Sequence, residues 1–147
     1  MAEQTLFFVS DHAGAELRHA LMAYMSPHDW HIEDLGVDET CDYPDCASRL
    51  AQHMKTAPVN AKAVLVCGSG IGMSMAGNRY PWMRVALCHD ETSARLARQH
   101  NNANALALGG RLIDTPQAKA IMDAFFSTEF EGGRHQRRVD KMTHSGG

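Results

Sequence analysis

One cysteine stands at the start of a glycine-rich segment, where a thiol can act as a base or a nucleophile. Residues 67–72 read CGSGIG and directly follow the apolar run 63–66. Glycines allow positive φ angles and let a ligand approach the backbone closely. A helix that starts here leaves amide N–H groups free, which favours an anion and also a thiolate at Cys67. A buried structural cysteine before an ordinary turn is the simpler interpretation, but the three alternating glycines and Ser69 favour a reactive cysteine in a functional site.

Two known kinds of functional loop do not match the residues of this segment. A dinucleotide site needs GxGxxG after the first strand, whereas this loop has GxGxG after the third. A cysteine-dependent phosphatase needs an arginine six positions after the cysteine, and Met73 stands there. A phosphocysteine carrier, similar to the IIB components of sugar transport, also places a cysteine at a strand-to-loop turn. The carrier therefore stays open as the alternative to an enzyme.

Other short segments accompany the glycine loop in a fixed order. They are SDHAG at 10–14, DYP at 42–44, AGNR at 76–79, RQHN at 98–101 and EGGRH at 131–135. With this series the chain resembles the ribose-5-phosphate isomerase B and galactose-6-phosphate isomerase family across nearly its whole length. The resemblance implies that it interconverts ribose 5-phosphate and ribulose 5-phosphate without a metal or other cofactor. A hexose phosphate, such as allose 6-phosphate or galactose 6-phosphate, is the alternative substrate.

The resemblance also implies a role for each matching residue. Cys67 is the base that moves a proton from C2 to C1, and Ser69 helps to hold the enediolate. His100 opens the sugar ring, with Asp11 assisting at the ring oxygen. One branch of the family uses a glutamate at the position of Met73, so this chain matches the cysteine branch. The implied substrate-binding residues are His12, Tyr43, Gly68, Gly70, Ile71, Gly72, Asn101, Arg111, Arg134 and Arg138.

Apolar runs that alternate with longer amphipathic stretches predict the elements that position these residues. The predicted strands cover 6–9, 31–35, 63–66, 85–88 and 105–108, and helices start near 13, 43, 91 and 115 and after 133. This alternation predicts an α/β fold, a Rossmann-like three-layer sandwich with a five-stranded parallel sheet. The length of 147 residues suits a single domain that spans 1–147.

The composition narrows the class of protein further. A net charge of −3 gives no general attraction to nucleic acid, and no apolar stretch is long enough to span a membrane. The N-terminus lacks a signal-peptide pattern, and the four cysteines include no CxxC pair. We therefore expect a cytoplasmic enzyme with no nucleic-acid or membrane partner. Because His28, His31, Cys41 and Cys46 match no standard zinc-finger spacing, no metal site is expected.

His100 occupies a different kind of position from Asp11 and Cys67. The latter two follow strand ends, and the carboxyl ends of parallel strands meet at one edge of the sheet. His100 falls near the end of the helix after the fourth strand, so it should lie near the opposite edge. We expect His100 to serve the active site of a second subunit in a homodimer or tetramer with a shared active site. A long loop that bridges the gap within one subunit is the alternative.

Overall fold

The short apolar runs form the strands of one parallel sheet. The computed structural model describes residues 4–36 and 41–144. Strands and helices alternate along the chain, as predicted, and a 3₁₀ turn precedes the first helix. The elements are β1 (Gln4–Ser10), α1 (Ala15–Met25), β2 (Trp30–Asp34), α2 (Tyr43–Thr56), β3 (Lys62–Cys67), α3 (Ile71–Gly77), β4 (Val85–Leu87), α4 (Glu91–Asn101), β5 (Ala105–Gly109), α5 (Thr115–Phe126) and α6 (Arg134–His144).

The strands lie in the sheet in the order β2-β1-β3-β5-β4, and every neighbouring pair is parallel. β3 is the central strand, and its apolar residues are buried on both faces, as is typical of parallel sheets. From β1 the chain first adds β2 on one side, and β3 then lies on the other side of β1. The strand order thus reverses between β1 and β3, and ligands of open α/β sheets bind at the carboxyl ends of strands at such a point.

Helices cover both faces of the sheet, which confirms the predicted three-layer α/β architecture. One apolar core packs α1, α4 and α5 against the sheet, and the other packs α2 and α3. Alternate residues of β3 point to opposite faces, so Val64 and Val66 join the first core while Leu65 and Cys67 join the second. The thiol of Cys67 therefore lies on the side of α2 and α3.

The helix starts nearest the glycine loop are set by local hydrogen bonds and turns. The Asp11 carboxylate accepts a hydrogen bond from the Gly14 amide over 3.1 Å and caps the 3₁₀ turn His12–Gly14. Because of this turn, α1 begins at Ala15, two residues later than the sequence predicts. α3 begins directly after Gly70, which has a left-handed conformation. No helix in the described part of the chain has the length and apolar character needed to span a membrane.

Candidate active site

Cys67 ends β3, and its thiol lies beside the start of α3. The residue is buried, with 5% of its surface exposed. The Gly70 amide donates a hydrogen bond to Cys67 Sγ over 3.2 Å. Gly70 has a φ of +80°, a value that strains any residue with a side chain, and this turn lets its amide meet the sulfur. The turn thus places a backbone hydrogen-bond donor directly against the Cys67 sulfur.

The end of β5 packs directly against the glycine loop. The Gly110 amide donates to the Cys67 carbonyl over 2.8 Å, which extends the pairing of β3 and β5 past the strand ends. A Cβ at Gly109 would lie 2.6 Å from the Ser69 carbonyl, so only glycine allows the loop to pack this closely. The sequence pattern did not predict this contact between the two glycines and the loop. A strand that ends in two glycines was the available signal.

The carboxyl edge of the sheet brings together most of the predicted site residues. Asp11 follows β1, and its amide donates to the Val66 carbonyl on β3 over 3.3 Å. The Arg111 amide donates to the Gly68 carbonyl over 2.9 Å, and the Arg111 side chain lies over Gly68. The exposed His12 is on the turn after β1. This edge therefore combines a thiol, a carboxylate, an imidazole and a guanidinium around one glycine loop.

Tyr43 completes this group from the opposite side of the loop. It begins α2, and 42% of its surface is exposed. A Cβ at Gly72 would lie 2.7–2.9 Å from three carbons of the Tyr43 ring, so the ring packs directly on the glycine loop. Ser69, within the loop, accepts a hydrogen bond through Oγ from the Ile71 amide over 3.2 Å. The side chain of Ile71 is half exposed at the rim.

The remaining predicted residues lie at the amino edge of the sheet. His100 and Asn101 end α4, and β5 begins four residues later. α6 packs against α4 and carries the exposed Arg134 and Arg138 on one face. β3 has six residues, and its five steps of about 3.3 Å each place the two edges roughly 17 Å apart. The structure thus does not bring His100 to the Cys67 of its own chain.

The His100 ring stacks on the ring of His135, a contact that sequence reasoning did not predict. The ring centroids are 4.3 Å apart, and the planes meet at 15°. Both Nε2 atoms face Glu131 Oε1, at 4.0 Å from His100 and 3.6 Å from His135. Burial lowers the pKa of His135, and the nearby charges of His100 and Arg134 add to this effect. The RQHN and EGGRH segments were the available signal, but only the tertiary fold brings them together.

A cavity of about 560 Å³ opens beside Asn101 at the same edge. Arg79 and Arg84 line it with polar groups, and Met142 of α6 contributes an apolar wall. The amino edge therefore offers an open, partly basic surface next to His100 and Asn101.

Two other cysteines are buried, and they differ from Cys67 in their surroundings. Burial raises the pKa of Cys46 to about 12, and a hydrogen bond with Cys41 adds to this shift. Burial also raises the pKa of Cys88 to about 11. Both are neutral thiols at physiological pH. Neither is placed in the glycine loop, so their role is to fill the core.

Comparison with known proteins places these features in a family. Residues 6–142 match the family model described as Ribose/Galactose Isomerase. Ribose-5-phosphate isomerase B of Escherichia coli (strain K12) is 38% identical over 138 residues, which cover 92% of both chains. A probable ribose-5-phosphate isomerase B of Mycoplasma genitalium is 39% identical over 140 residues, or 93% of this chain and 92% of the relative.

Solved structures agree with the sequence matches. A ribose 5-phosphate isomerase of Thermotoga maritima superposes with a TM-score of 0.89 at 42% identity, covering 97% of this chain and 99% of the other. Ribose-5-phosphate isomerase B from Mycoplasma genitalium with bound ribulose 5-phosphate has a TM-score of 0.85 at 35% identity, covering 97% and 96%. A thiol-bearing glycine loop on this sheet, the ordered motifs and the matched length lead to one conclusion: the chain belongs to the ribose/galactose isomerase family.

Proposed function

We propose that this chain interconverts ribose 5-phosphate and ribulose 5-phosphate, with Cys67 as the base. The observation that carries the proposal is the position of the Cys67 thiol. It accepts a hydrogen bond from the Gly70 amide at the carboxyl edge of the sheet, where the strand order reverses. The relatives named for this reaction, one of them with bound ribulose 5-phosphate, support a pentose phosphate as the substrate. Because Cys67 must stay reduced to act, we place the enzyme in the cytoplasm.

The chemistry follows from the groups at the carboxyl edge. The Cys67 thiolate removes the proton from C2 of the open-chain aldose, and the electron pair moves into the C1–C2 bond while O1 gains negative charge. The same thiol returns the proton to C1, and a proton moves from O2 to O1 to leave the C2 ketone. The Ser69 hydroxyl and the amides of Gly70, Ile71 and Gly72 stabilise the enediolate oxygens. The Gly70 and Ile71 amides would exchange their hydrogen bonds to Cys67 Sγ and Ser69 Oγ for bonds to the substrate. No step needs a metal ion or an organic cofactor.

The other roles are divided between the two edges. His12 and Arg111 at the carboxyl edge, with Arg134 and Arg138 at the amino edge, bind the phosphate as charge-assisted donors. Tyr43, beside the glycine loop, contacts the sugar hydroxyls. Asn101 does the same from the amino edge. These assignments rest on the motif matches and on the side chains' positions.

Ring opening requires His100 and Asp11 at the same sugar, although they lie at opposite edges of their own chain. We therefore propose a homodimer in which the amino edge of one subunit covers the carboxyl edge of its partner. His100, Asn101 and the two arginines of α6 would then reach the partner's thiol. The dimer is the smallest assembly that meets this need, and a tetramer built from two such dimers meets it equally.

A substrate panel tests the proposal. Purified metal-free protein would be incubated in ²H₂O with ribose 5-phosphate, allose 6-phosphate, galactose 6-phosphate and unphosphorylated ribose, and the products read by NMR. We expect ribulose 5-phosphate to form fastest, with deuterium at C1 because the thiol exchanges its proton with solvent. Faster turnover of a hexose phosphate would reassign the substrate. If a phosphoryl donor instead added the mass of a phosphate to Cys67, the protein would be a carrier.

A further inference from the structure

Three side chains at the amino edge form a cluster of potential metal ligands. They are His100 at the end of α4, Glu131 before α6 and His135 in the first turn of α6. One donor atom from each lies within 4.8 Å of the other two. Across residues 4–36 and 41–143, this is the one group of three histidine, cysteine or acidic side chains close enough to hold an ion.

Backbone contacts hold the cluster in place. The Glu131 amide donates to the Gln99 carbonyl over 3.1 Å, which ties the segment before α6 to the end of α4. Gly132 and Gly133 have φ angles of +70° and +55°, so the chain turns sharply into α6. The His135 amide then donates to the Gly132 carbonyl, and 9% of His135 is exposed. The backbone of Glu131 and the buried His135 are therefore held in place by contacts within the chain.

The donor set and its spacing suit a first-row transition metal. Zn²⁺ binds imidazole nitrogen and carboxylate oxygen at about 2.0–2.2 Å, so two ligands of a tetrahedral ion lie about 3.3 Å apart. The separations of 3.6 and 4.0 Å from Glu131 Oε1 to Nε2 of His135 and of His100 are close to this value. Three protein ligands leave the fourth position for water.

The stacked rings show which side chain must move. An ion lies in the plane of each imidazole that binds it, and two nearly parallel rings cannot share such an ion. The His135 side chain is buried, with 11% of its surface exposed, whereas 40% of the His100 side chain is exposed. His100 is thus the ring that turns away from the stack to bind. Glu131 supplies the negative charge that offsets the nearby Arg134 and Arg138.

We propose that His100, Glu131 and His135 bind a divalent ion of the zinc type, and that the bound ion inhibits the enzyme by holding His100. The ion is an inhibitor and not a cofactor, so isomerisation itself stays metal-free. The inhibition rests on the proposed role of His100 in ring opening. Metal binding does not depend on that role.

Calorimetric titration of metal-free protein with Zn²⁺ tests the site directly. We expect one ion per chain in the wild type. Glu131→Gln, which keeps the size of a surface side chain, and His135→Gln should each weaken binding by at least about tenfold, the loss that even outer-shell partners cause. His31→Gln is the matched control, because His31 pairs with Glu33 at 3.2 Å but belongs to no group of three potential ligands among the described residues. It should bind zinc like the wild type.

Cys67 is the competing zinc ligand, since thiolates bind zinc well. Cys67→Ala should therefore keep its affinity for Zn²⁺, and loss of binding in this variant would overturn the proposal. Unchanged affinity in both Glu131→Gln and His135→Gln would overturn it as well. In the isomerase assay, zinc should inhibit the wild type and His31→Gln more strongly than Glu131→Gln. Intact zinc binding in a protein without isomerase activity would reject the proposed function while supporting the metal site.

Discussion

At the scale of single residues, the environment of a cysteine decides what its thiol can do. Cys46 and Cys88 are neutral because burial raises the pKa of each thiol, to about 12 and about 11. Cys67 is also buried, but the Gly70 amide donates to its sulfur. The three residues are chemically the same side chain. Only Cys67 combines a strand end, a glycine loop and an amide donor.

Cys67→Ala should remove isomerisation while the protein still folds. Alanine fits the same strand end, and loss of a general base costs about 10²–10⁴-fold in rate. The measurement is kcat with ribose 5-phosphate, with urea unfolding to check the fold. Cys88→Ala removes a buried thiol outside the loop and should keep its activity. Near-normal turnover by Cys67→Ala would exclude Cys67 as the base.

Gly70→Ala should damage both stability and activity. The left-handed φ of +80° and a Cβ 2.9 Å from the Leu108 carbonyl carbon leave no room for a methyl group. We expect the free energy of unfolding to fall by about 1–3 kcal/mol, which is typical of local backbone strain. Gly72→Ala is the comparison, because its Cβ meets the partly exposed ring of Tyr43, which can move. Urea unfolding should show the smaller loss there, and KM should rise as Tyr43 shifts.

At the scale of elements, apolar runs predicted each strand to within about two residues at either end. β2 begins at Trp30 and β4 ends at Leu87, one residue from the expected positions. The runs are clearest for β1, β3 and β5, because these inner strands are buried on both faces, whereas the edge strand β2 is only partly buried. The apolar runs do not indicate, however, which strands lie side by side in the sheet. The insertion of β5 between β3 and β4 depends on packing across the whole sheet, which no local pattern encodes.

α6 presents Arg134 and Arg138 one turn apart, and both should bind the substrate phosphate. Arg134→Ala and Arg138→Ala should each cost about 1.5–3 kcal/mol in kcat/KM for ribose 5-phosphate, as expected for hydrogen bonds to a charged group. Arg95→Ala is the control, since Arg95 pairs with Glu91 on the exposed side of α4. An equal loss with unphosphorylated ribose would argue against a phosphate role.

Lys62, at the start of β3, should make stability depend on pH. Burial lowers its pKa from 10.5 to about 8, and Arg98 and Arg84 add to the shift. Below about pH 8 the folded state must keep a poorly solvated charge, so Lys62→Met should raise the free energy of unfolding by about 1–3 kcal/mol at neutral pH. As pH rises from 8 towards 10.5, the folded wild type loses this proton before the unfolded chain does and becomes more stable.

The gain from Lys62→Met should therefore shrink as the pH rises. Urea unfolding of both proteins at neutral pH and at about pH 9.5 checks the sign. A gain that stays constant or grows would show that Lys62 carries no buried charge.

At the scale of the whole molecule, the predicted site residues divide between the two edges of the sheet. The motifs predicted the site residues, and the position of His100 near the end of a helix predicted that it lies away from Cys67. The stack of His100 on His135 was not predictable, because their segments are separate in sequence and meet only where α6 packs on α4. The support of the loop by Gly109 was missed for the same reason.

Subunit exchange tests the shared site. Cys67→Ala chains and His100→Ala chains should each be inactive. After mixing under conditions that allow exchange, one of the two sites in each mixed dimer contains both the thiol and the imidazole, so activity should return. Native mass spectrometry would verify that mixed dimers form. A mixture that exchanges but stays inactive would reject the shared site.

The order of strands in the sheet has a consequence for how the chain is made. β4 leaves the ribosome before β5, yet in the finished sheet its neighbour is β5. Until residues 105–109 emerge, β3 has one open edge and β4 has no strand to pair with, the condition in which nascent chains tend to aggregate. At that stage the glycine loop also lacks its contacts with Gly109 and Gly110. The newly made protein therefore completes its sheet and the setting of its reactive thiol together, late in synthesis.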